Sequence, residues 1–320
     1  MSFSDILGQS GPVSVLRRSL AAGKLAHAYI FEGTEGCGKK KAAMALVAAI
    51  FCGREDGCGE CPSCRKVAAL QHPDLHLVEP EGAFIKIDQI RDLQKNLSYR
   101  PFEARKKVCI MEAAESMNTA AANAFLKTLE EPPGDSLLIL LTANIGAVLP
   151  TIQSRCQRLS FSPLPLEAIE ECLRNRGVPG ETARIAASLA EGSLKKALEV
   201  ASEGTLRKRG DILERIGSLS LHDITPLFAL AEELGSDRDK ALEVLDVLTI
   251  FWRDVLFIQS DASTPANAGT VPLLRKEAEQ STPDMTIEKI DSISRSRKAL
   301  QRNVNPRLAL EVLFMGLAGK

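Results

Sequence analysis

The fold of this chain is decided by the stretch AYIFEGTEGCGKKKAAMALVAAIFC at residues 28–52. Its first residues predict a buried strand, and the apolar residues 42–52 predict a helix. The loop between them, residues 33–39, matches the first seven positions of the phosphate-binding pattern G-x-x-x-x-G-K-[ST]. Glycines there let backbone N–H groups wrap a phosphate, the helix N-terminus favours negative charge, and the lysine reaches the β and γ oxygens. Gly33, Gly38 and Lys39 are therefore the candidate nucleotide-binding residues of an α/β domain.

The eighth position of this pattern is the first departure from it. Lys40 stands where the pattern requires Ser or Thr. The hydroxyl of Ser or Thr ligates Mg²⁺, whereas an ammonium only donates hydrogen bonds and cannot bind a metal. The loop is therefore predicted to cradle a phosphate without supplying a ligand to the metal. Whether Lys39 still binds a nucleotide such as ATP stays open.

A second departure follows the predicted core strand at 107–111. An ATPase of this class has Asp-Glu at the end of that strand, the Asp for the metal and the Glu to polarise the attacking water. This chain has Glu112-Ala113. Glu112 could still reach a metal, but Ala113 has no group that could orient water. Taken alone, the segment also fits an ordinary core strand followed by a solvated glutamate. Together with Lys40, it indicates an ATPase site that has lost its function.

Composition limits the class of protein. The chain has 320 residues of which 45% are hydrophobic, so it can bury a large core in two or three domains. A formal net charge of −1 gives no sign of a free-standing nucleic-acid binder. The N-terminus has no basic n-region, and the longest apolar run, residues 42–52, is too short to span a bilayer. We therefore expect a cytoplasmic protein with no membrane partner.

Four of the eight cysteines form a cluster on a turn-rich stretch directly after the predicted P-loop helix: Cys52, Cys58, Cys61 and Cys64. Disulfides are not expected in the cytosol. Four closely spaced thiolates match the tetrahedral site that structural Zn²⁺ prefers. A redox pair and an iron–sulfur site are the alternatives. Zinc is favoured because no further coordination position is offered for catalysis or electron transfer.

The rest of the pattern predicts an α/β domain followed by helices. Alternating strands and helices imply a parallel sheet with helices on both faces. The further strands are predicted at 75–78, 107–111 and 137–141, with helices at 87–97 and from the Asn118 cap to Glu131. Strand signals vanish after residue 165. Helices are then predicted at 166–176, 181–191, 193–202, 221–234, 240–258, 286–303 and 306–317.

Several motifs occur in an order that resembles the delta-prime subunits of bacterial DNA polymerase III clamp loaders, which belong to the AAA+ superfamily. They are Leu7-Gly8-Gln9, the phosphate-binding loop, the cysteine insert at 52–64, the run NAFLKTLEEPP at 123–133 and Ser154-Arg155-Cys156. These motifs cover residues 1–162, and helix order extends the resemblance to the C-terminus. The runs LKTLEEPP and SRC are shared with the motor subunits tau/gamma of the same machine, from which Lys40 and Ala113 separate this chain.

The resemblance implies three domains and a role for one arginine. The domains are an AAA+ domain at 1–162, a helical lid at 163–204 and a helical collar at 205–320 that builds a pentameric ring. Arg155 is implied to project into the ATP site of a neighbouring motor subunit as an arginine finger. Without the motif it would pass for an ordinary surface arginine. Lys195 stands where the motor subunits have an arginine that contacts the γ-phosphate. Lysine keeps the positive charge of that arginine but cannot donate two parallel hydrogen bonds to the phosphate.

These expectations predict a clamp-loader subunit that does not hydrolyse ATP. It would help tau/gamma and delta open the sliding clamp and place it on primed DNA. One alternative is an active AAA+ ATPase in which Lys40 is tolerated and Glu112 alone holds Mg²⁺. Another is a zinc-dependent nucleic-acid-binding module. ATP turnover by the isolated chain separates the first two, and DNA affinity of the zinc region tests the third.

Overall fold

The computed structural model describes residues 2–54, 56–202, 205–260 and 271–319. The described residues form two compact units. The first unit comprises the chain up to Cys172 together with Glu191–Lys196, and the second comprises Leu173–Ala190 and the chain from Ala197 onward.

A parallel sheet forms the centre of the first unit. Within the described residues it has five strands, which are β1 Ala28–Glu32, β2 Leu75–Val78, β3 Lys107–Met111, β4 Ser136–Thr142 and β5 Gln157–Ser160. Their order is β2-β3-β4-β1-β5, and every neighbouring pair is parallel. Because β1 lies between β4 and β5, the loop that leaves its carboxyl end lies inside the sheet rather than at its edge. Ligands of open α/β sheets bind in crevices at such ends.

Helices cover both faces of this sheet. They are α1 Ser10–Ala21, α2 Lys39–Cys52, α3 Pro62–Ala68, α4 Ile87–Ser98, α5 Thr119–Glu130 and α6 Pro150–Gln153. Alternate strand residues enter two separate cores, because successive side chains point to opposite faces. Tyr29 and Phe31 share a core with α1 and α2, whereas Ile30 shares the other with Phe125 and Leu93. The Asn118 side chain accepts the N–H of Ala121 at 2.8 Å, so the predicted cap of α5 is confirmed.

One buried carboxylate fixes the loop that precedes β3. Asp74, at the start of β2, accepts the N–H groups of Phe102 at 2.6 Å and of Glu103 and Ala104 at 2.7 Å. Burial alone would raise the pKa of Asp74, but these three hydrogen bonds outweigh it and lower the pKa. The loop is thereby tied to the sheet, while the side chain of Phe102 stays 82% exposed.

Helices follow the sheet along the chain. They are α7 Leu166–Arg174, α8 Gly180–Leu189, α9 Leu194–Ala201, α10 Thr205–Gly217, α11 Thr225–Leu234, α12 Arg238–Gln259, α13 Val271–Gln280, α14 Pro283–Gln301 and α15 Pro306–Ala318. The core of the second unit packs side chains of α11, α12 and α15 together, among them Leu227, Val244, Leu248, Leu310 and Phe314. Burial of such apolar surface, rather than helix propensity, is what stabilises these helices.

The predicted fold class is confirmed in its architecture: an α/β domain with a parallel sheet, followed by helices. Several elements were not predicted, namely the strand β5 and the helices α1, α3, α6, α10 and α13. The edge strand β5 was missed because only Leu159 is buried in it. The short α3 lies inside the cysteine insert, and α10 was not recognised. The predicted domain boundaries stay a prediction, and the described residues of the predicted lid are divided between the two units.

Candidate functional site

The loop at residues 33–38 has the strand–loop–helix setting predicted for it, between β1 and α2. Two of its glycines are required by their surroundings. Gly33 has φ 150°, and a side chain there would collide with the carbonyl oxygen of Phe161. Gly36 has φ 76°, and a side chain there would collide with the hydroxyl of Ser193. Gly38 caps the N-terminus of α2 and lies in the left-handed region, with φ 107°. Only glycine fits these backbone positions without strain.

Lys39 is turned back onto its own loop. Its ammonium donates to the carbonyl oxygens of Gly33 at 2.5 Å and Thr34 at 2.8 Å. The residue is 9% exposed, and this burial lowers the pKa of Lys39. The lysine that would reach the β and γ oxygens of a nucleotide is therefore already hydrogen-bonded within the loop.

Lys40 brings the two departures from the ATPase pattern together. Its ammonium contacts Glu112 and lies 3.3 Å from Oε1 of Glu79. Burial lowers the pKa of Lys40, but the hydrogen bonds and charges of Glu112 and Glu79 outweigh it and raise the pKa. Burial and the neighbouring Glu79 raise the pKa of Glu112, against the opposing effect of Lys40. The carboxylate that follows β3 is thus paired with a lysine at the position of the missing hydroxyl.

Ala113 offers no polar side chain after this carboxylate. Its backbone has φ 47°, an uncommon conformation for a residue other than glycine, and the chain continues into a short 3₁₀ helix at Ala114–Ser116. Sequence reasoning missed Glu115 in that helix. Its Oε1 accepts the N–H of Ala143 at 3.0 Å, immediately after β4. This contact joins the ends of two strands that are remote in sequence, so no local pattern could have indicated it.

The start of α9 covers the tip of the phosphate-binding loop. The N–H of Leu194 donates to the carbonyl oxygen of Gly36 at 3.1 Å. Lys195 pairs with Glu35 at 2.6 Å, with both side chains largely exposed. The resemblance places Lys195 where the motor subunits have an arginine that contacts the γ-phosphate. In this chain Lys195 instead contacts the carboxylate of Glu35. An exposed pair of this kind contributes little to stability.

Gln9 ties the N-terminus to the same loop. In the sequence, Gln9 is only one residue of the motif Leu7-Gly8-Gln9, whereas the structure shows that its side chain bonds to the loop. Its amide donates to the carbonyl oxygens of Cys37 at 3.0 Å and Ser162 at 2.7 Å, and its Oε1 accepts the N–H of Ser162 at 3.1 Å. Gln9 is 2% exposed, so these bonds satisfy a buried polar group.

Arg155 lies just beyond α6, away from the phosphate-binding loop in sequence. Its guanidinium pairs with Glu130 at 2.6 Å and donates to the carbonyl oxygen of Thr151 at 3.0 Å. The Arg155 side chain is 37% exposed and that of Glu130 is 51% exposed. This ion pair joins the two motifs, because Glu130 belongs to LKTLEEPP and Arg155 belongs to SRC. The arginine is therefore oriented by its own domain and accessible from outside it.

The four clustered cysteines converge on one point. One sulfur atom from each of Cys52, Cys58, Cys61 and Cys64 lies within 4.8 Å of the other three. Cys52 is the last residue of α2, and Cys61 caps α3. The N–H groups of Cys61 and Glu60 donate to the Cys58 sulfur and lower its pKa to about 6, while burial raises the pKa of Cys64 to about 12. Among the described residues, this is the one group of side chains spaced to hold a metal.

The described residues contain no helix that is both long and apolar enough to cross a membrane.

Comparison with known proteins identifies the family. A family model described as DNA polymerase III, delta subunit, matches residues 8–165, and a second, described as DNA polymerase III, delta subunit, C terminal, matches residues 203–318. DNA polymerase III subunit delta' of Bacillus subtilis is 33% identical over 312 residues, which cover 95% of this chain and 94% of that protein. The delta' subunit of Pseudomonas aeruginosa is 38% identical over 202 residues, 61% of each chain.

A relationship to another subunit is also present. DNA polymerase III subunit tau of Bacillus subtilis is 29% identical over 343 aligned residues, which cover 97% of this chain and 60% of tau. The delta' match to Bacillus subtilis, by contrast, spans nearly the full length of both proteins. This chain therefore belongs to the delta-prime family of DNA polymerase III clamp-loader subunits, which is related to tau/gamma.

Proposed function

We propose that this subunit acts in the clamp loader without hydrolysing ATP, and that it supplies Arg155 to the ATP site of a neighbouring motor subunit. Its proposed partners are tau/gamma and delta in a pentameric ring, and through that ring the sliding clamp and primed DNA. The proposed location is the cytoplasm. The similarity to subunits delta' and tau of Bacillus subtilis supports partners of this class.

The observation that carries the absence of hydrolysis is the contact between Lys40 and Glu112. In P-loop ATPases, Mg²⁺ bridges the β and γ oxygens and is held by the loop hydroxyl and the carboxylate after the third strand. Here an ammonium neutralises that carboxylate and offers no lone pair to a metal. Ala113 adds no group to orient water. Lys39 is bonded to the loop carbonyls, so binding a phosphate would first require it to exchange these partners.

The isolated chain is expected to hydrolyse ATP no faster than background, with or without Mg²⁺. The measurement is phosphate release under conditions where a tau/gamma motor subunit turns over. The double variant Lys40→Thr, Ala113→Glu restores both missing groups and tests whether these two losses suffice to explain the inactivity. Mg²⁺-dependent turnover by the unmodified chain that Lys39→Ala abolishes would instead establish the alternative, an active AAA+ ATPase.

Two features support Arg155 as a group supplied in trans. A planar and permanently charged guanidinium suits the charge that spreads over a transferring phosphoryl group. The ion pair with Glu130 is solvent-exposed, and such pairs contribute only about 0–1 kcal/mol. Exchange of Glu130 for a phosphate oxygen would therefore cost little.

We infer that the four cysteines hold a structural Zn²⁺. Zinc binds thiolates at about 2.3 Å in a tetrahedron, which sets neighbouring sulfur atoms about 3.8 Å apart. The sulfur atoms of Cys58 and Cys64 are 3.9 Å apart. The N–H group of Cys61 donates to the sulfur of Cys58 and favours the thiolate form of Cys58 that a metal needs. When bound, the ion would cross-link the end of α2 to the start of α3.

The purified chain is accordingly expected to contain one zinc ion, with four sulfur ligands at about 2.3 Å by X-ray absorption. Cys58→Ser should lose most of the metal and loosen residues 53–64 while the parallel sheet stays folded, because the insert lies outside the strands. Cys172→Ser is the matched control, since Cys172 lies outside the cluster, and it should retain the metal. Metal analysis without zinc, or an absorption spectrum typical of iron–sulfur clusters, would refute the assignment.

A further inference from the structure

The second unit contains a cavity of about 380 Å³ that has no part in the sites described above. Its walls are mostly aliphatic and aromatic, from α10, α12, α13 and α15: Leu213, Ile216, Leu248, Phe251, Leu273 and Leu317. Ligand pockets in proteins have volumes of roughly 300 to 1,000 Å³ and are largely apolar, with a few placed polar groups. The cavity has the size and the lining of a pocket for a small molecule.

The charged groups that line this cavity are two lysines and one carboxylate. The ammonium of Lys289 lies 4.0 Å from the centre of the Trp252 ring and 4.0 Å from Oε2 of Glu277, which is beyond hydrogen-bond distance. The Lys289 and Glu277 side chains are only 14% and 18% exposed. Lys276 is exposed at the same cavity, and it forms no ion pair with any described residue. The lining therefore carries a net positive charge.

Trp252 adds a buried hydrogen-bond donor. The residue lines the cavity and is 5% exposed, and its Nε1 has no hydrogen-bond partner among the described residues. A buried indole N–H usually has an acceptor, and an unsatisfied one calls for an explanation. An acceptor on a bound molecule would satisfy it, and an anionic head beside the lysines can provide one.

We propose that this cavity binds a small amphipathic anion. Its apolar body lies among the aliphatic walls, and a carboxylate or sulfonate head pairs with Lys289 and Lys276. An anion is favoured over a neutral ligand because the lining carries two ammonium groups against one carboxylate, so an anionic head gains charge-assisted contacts that a neutral head cannot make. The site is independent of the proposed role in ATP hydrolysis.

The chain offers a direct reporter for this site, because Trp252 is its single tryptophan. The probe is 8-anilinonaphthalene-1-sulfonate, an aromatic anion that accepts excitation energy from tryptophan. We expect saturable quenching of Trp252 emission with one probe bound per chain and a dissociation constant on the order of 10⁻⁵ M for a ligand of this size. Decanoate should displace the probe, which extends the site to carboxylates. Quenching that does not saturate, or no quenching, would refute the pocket.

Two kinds of variant separate the cavity from nonspecific binding. A Cβ at Gly217 would meet only Leu273 Cδ1 at 3.8 Å, so Gly217→Met can fill the cavity without backbone strain and should weaken binding by at least about 10-fold. Lys289→Gln and Lys276→Gln should each weaken it by about 3- to 10-fold, since each removes a charge-assisted contact. Lys298→Gln, on the same helix as Lys289 but outside the cavity lining, is the control and should bind like the unmodified chain.

The neutral analogue N-phenyl-1-naphthylamine tests the anion itself. It lacks the sulfonate and should bind more weakly than the charged probe to the unmodified chain. In Lys289→Gln and in Lys276→Gln, this difference in affinity between the charged probe and the neutral analogue should disappear. Equal or tighter binding of the neutral analogue to the unmodified chain would refute recognition of an anion, and unchanged affinity in Gly217→Met would refute the cavity as the place of binding.

Discussion

Replacing Arg155 by alanine in the assembled clamp loader is expected to lower ATP hydrolysis at one motor site by up to ~10³-fold or more, the range in which arginine fingers act. The affected site is the one that this subunit adjoins. The other sites should persist, because each would receive a finger from a motor neighbour. Arg155→Lys should rescue poorly, because a point charge cannot reproduce the planar fork of a guanidinium.

The measurement compares single-turnover ATP hydrolysis and clamp loading in rings that contain the variant or the unmodified subunit. Arg158→Ala is a matched control, because Arg158 lies three residues further on and also pairs with an acidic side chain, Glu32, at 2.5 Å. Both variants should fold and join the ring, since truncating an exposed arginine costs little stability. If Arg155→Ala rings hydrolyse ATP and load clamps at the unmodified rate, the residue is an ordinary surface arginine and the subunit acts as a scaffold alone.

The largest stability effect is expected for Asp74→Ala, which should lower the free energy of unfolding of the first unit by about 3 kcal/mol. The substitution removes three charge-assisted hydrogen bonds and leaves the N–H groups of Phe102, Glu103 and Ala104 to find water. Because the loop that carries them is partly exposed, some of this loss can be recovered by hydration. Asp92→Ala, an exposed carboxylate on α4, is the control and should change stability little.

The two units can be followed separately in this experiment. Both tyrosines, Tyr29 and Tyr99, lie in the first unit, and the single tryptophan, Trp252, lies in the second. Urea denaturation followed by tyrosine emission should therefore shift in Asp74→Ala, while the transition reported by Trp252 should not. An unshifted tyrosine transition would show that the loop is held by other contacts.

The effect of Asp74 should also depend on pH. Its folded pKa lies below the ordinary value of 3.8, so the ionised form is the one that folding stabilises. The contribution is fully present above pH 3.8 and is lost as the pH falls through the folded pKa. The stability difference between the unmodified chain and Asp74→Ala should accordingly shrink with acidification below pH 3.8.

The sequence was most informative where structure is locally encoded. The strands at 75–78 and 107–111 have the predicted bounds. The second is fully buried, and buried parallel strands are mostly apolar runs between turn residues. Helix ends were less accurate: the helix predicted from residue 221 begins at Thr225, after a turn in which Asp223 accepts the N–H of Thr225. The edge strand β5 has polar residues on its exposed side and pairs only with β1, so its hydrogen bonds are set by the sheet rather than by its own composition.

The candidate site was predicted in parts but not in its connections. Lys40 and Glu112 were identified separately as departures from a pattern, 72 positions apart in the chain. Their contact depends on β1 and β3 lying in one sheet with β4 between them, which no local signal encodes. The same holds for Gln9 with Ser162 and for Arg155 with Glu130. Whether these residues act as proposed stays a prediction that the experiments above decide.

Helix α2 connects the two ends of this site in a way that bears on motion. Its first residue is Lys39 and its last is Cys52, so one helix of 14 residues, about 21 Å long, runs from the phosphate-binding loop to the cysteine cluster. Nine of its residues are buried, so most of the helix is packed against the rest of its unit. With the proposed zinc ion bound, this helix would be fixed at both ends. In the proposed ring, a subunit built around it would deform little when its neighbours bind and release nucleotide, so their displacement would be passed on rather than absorbed here.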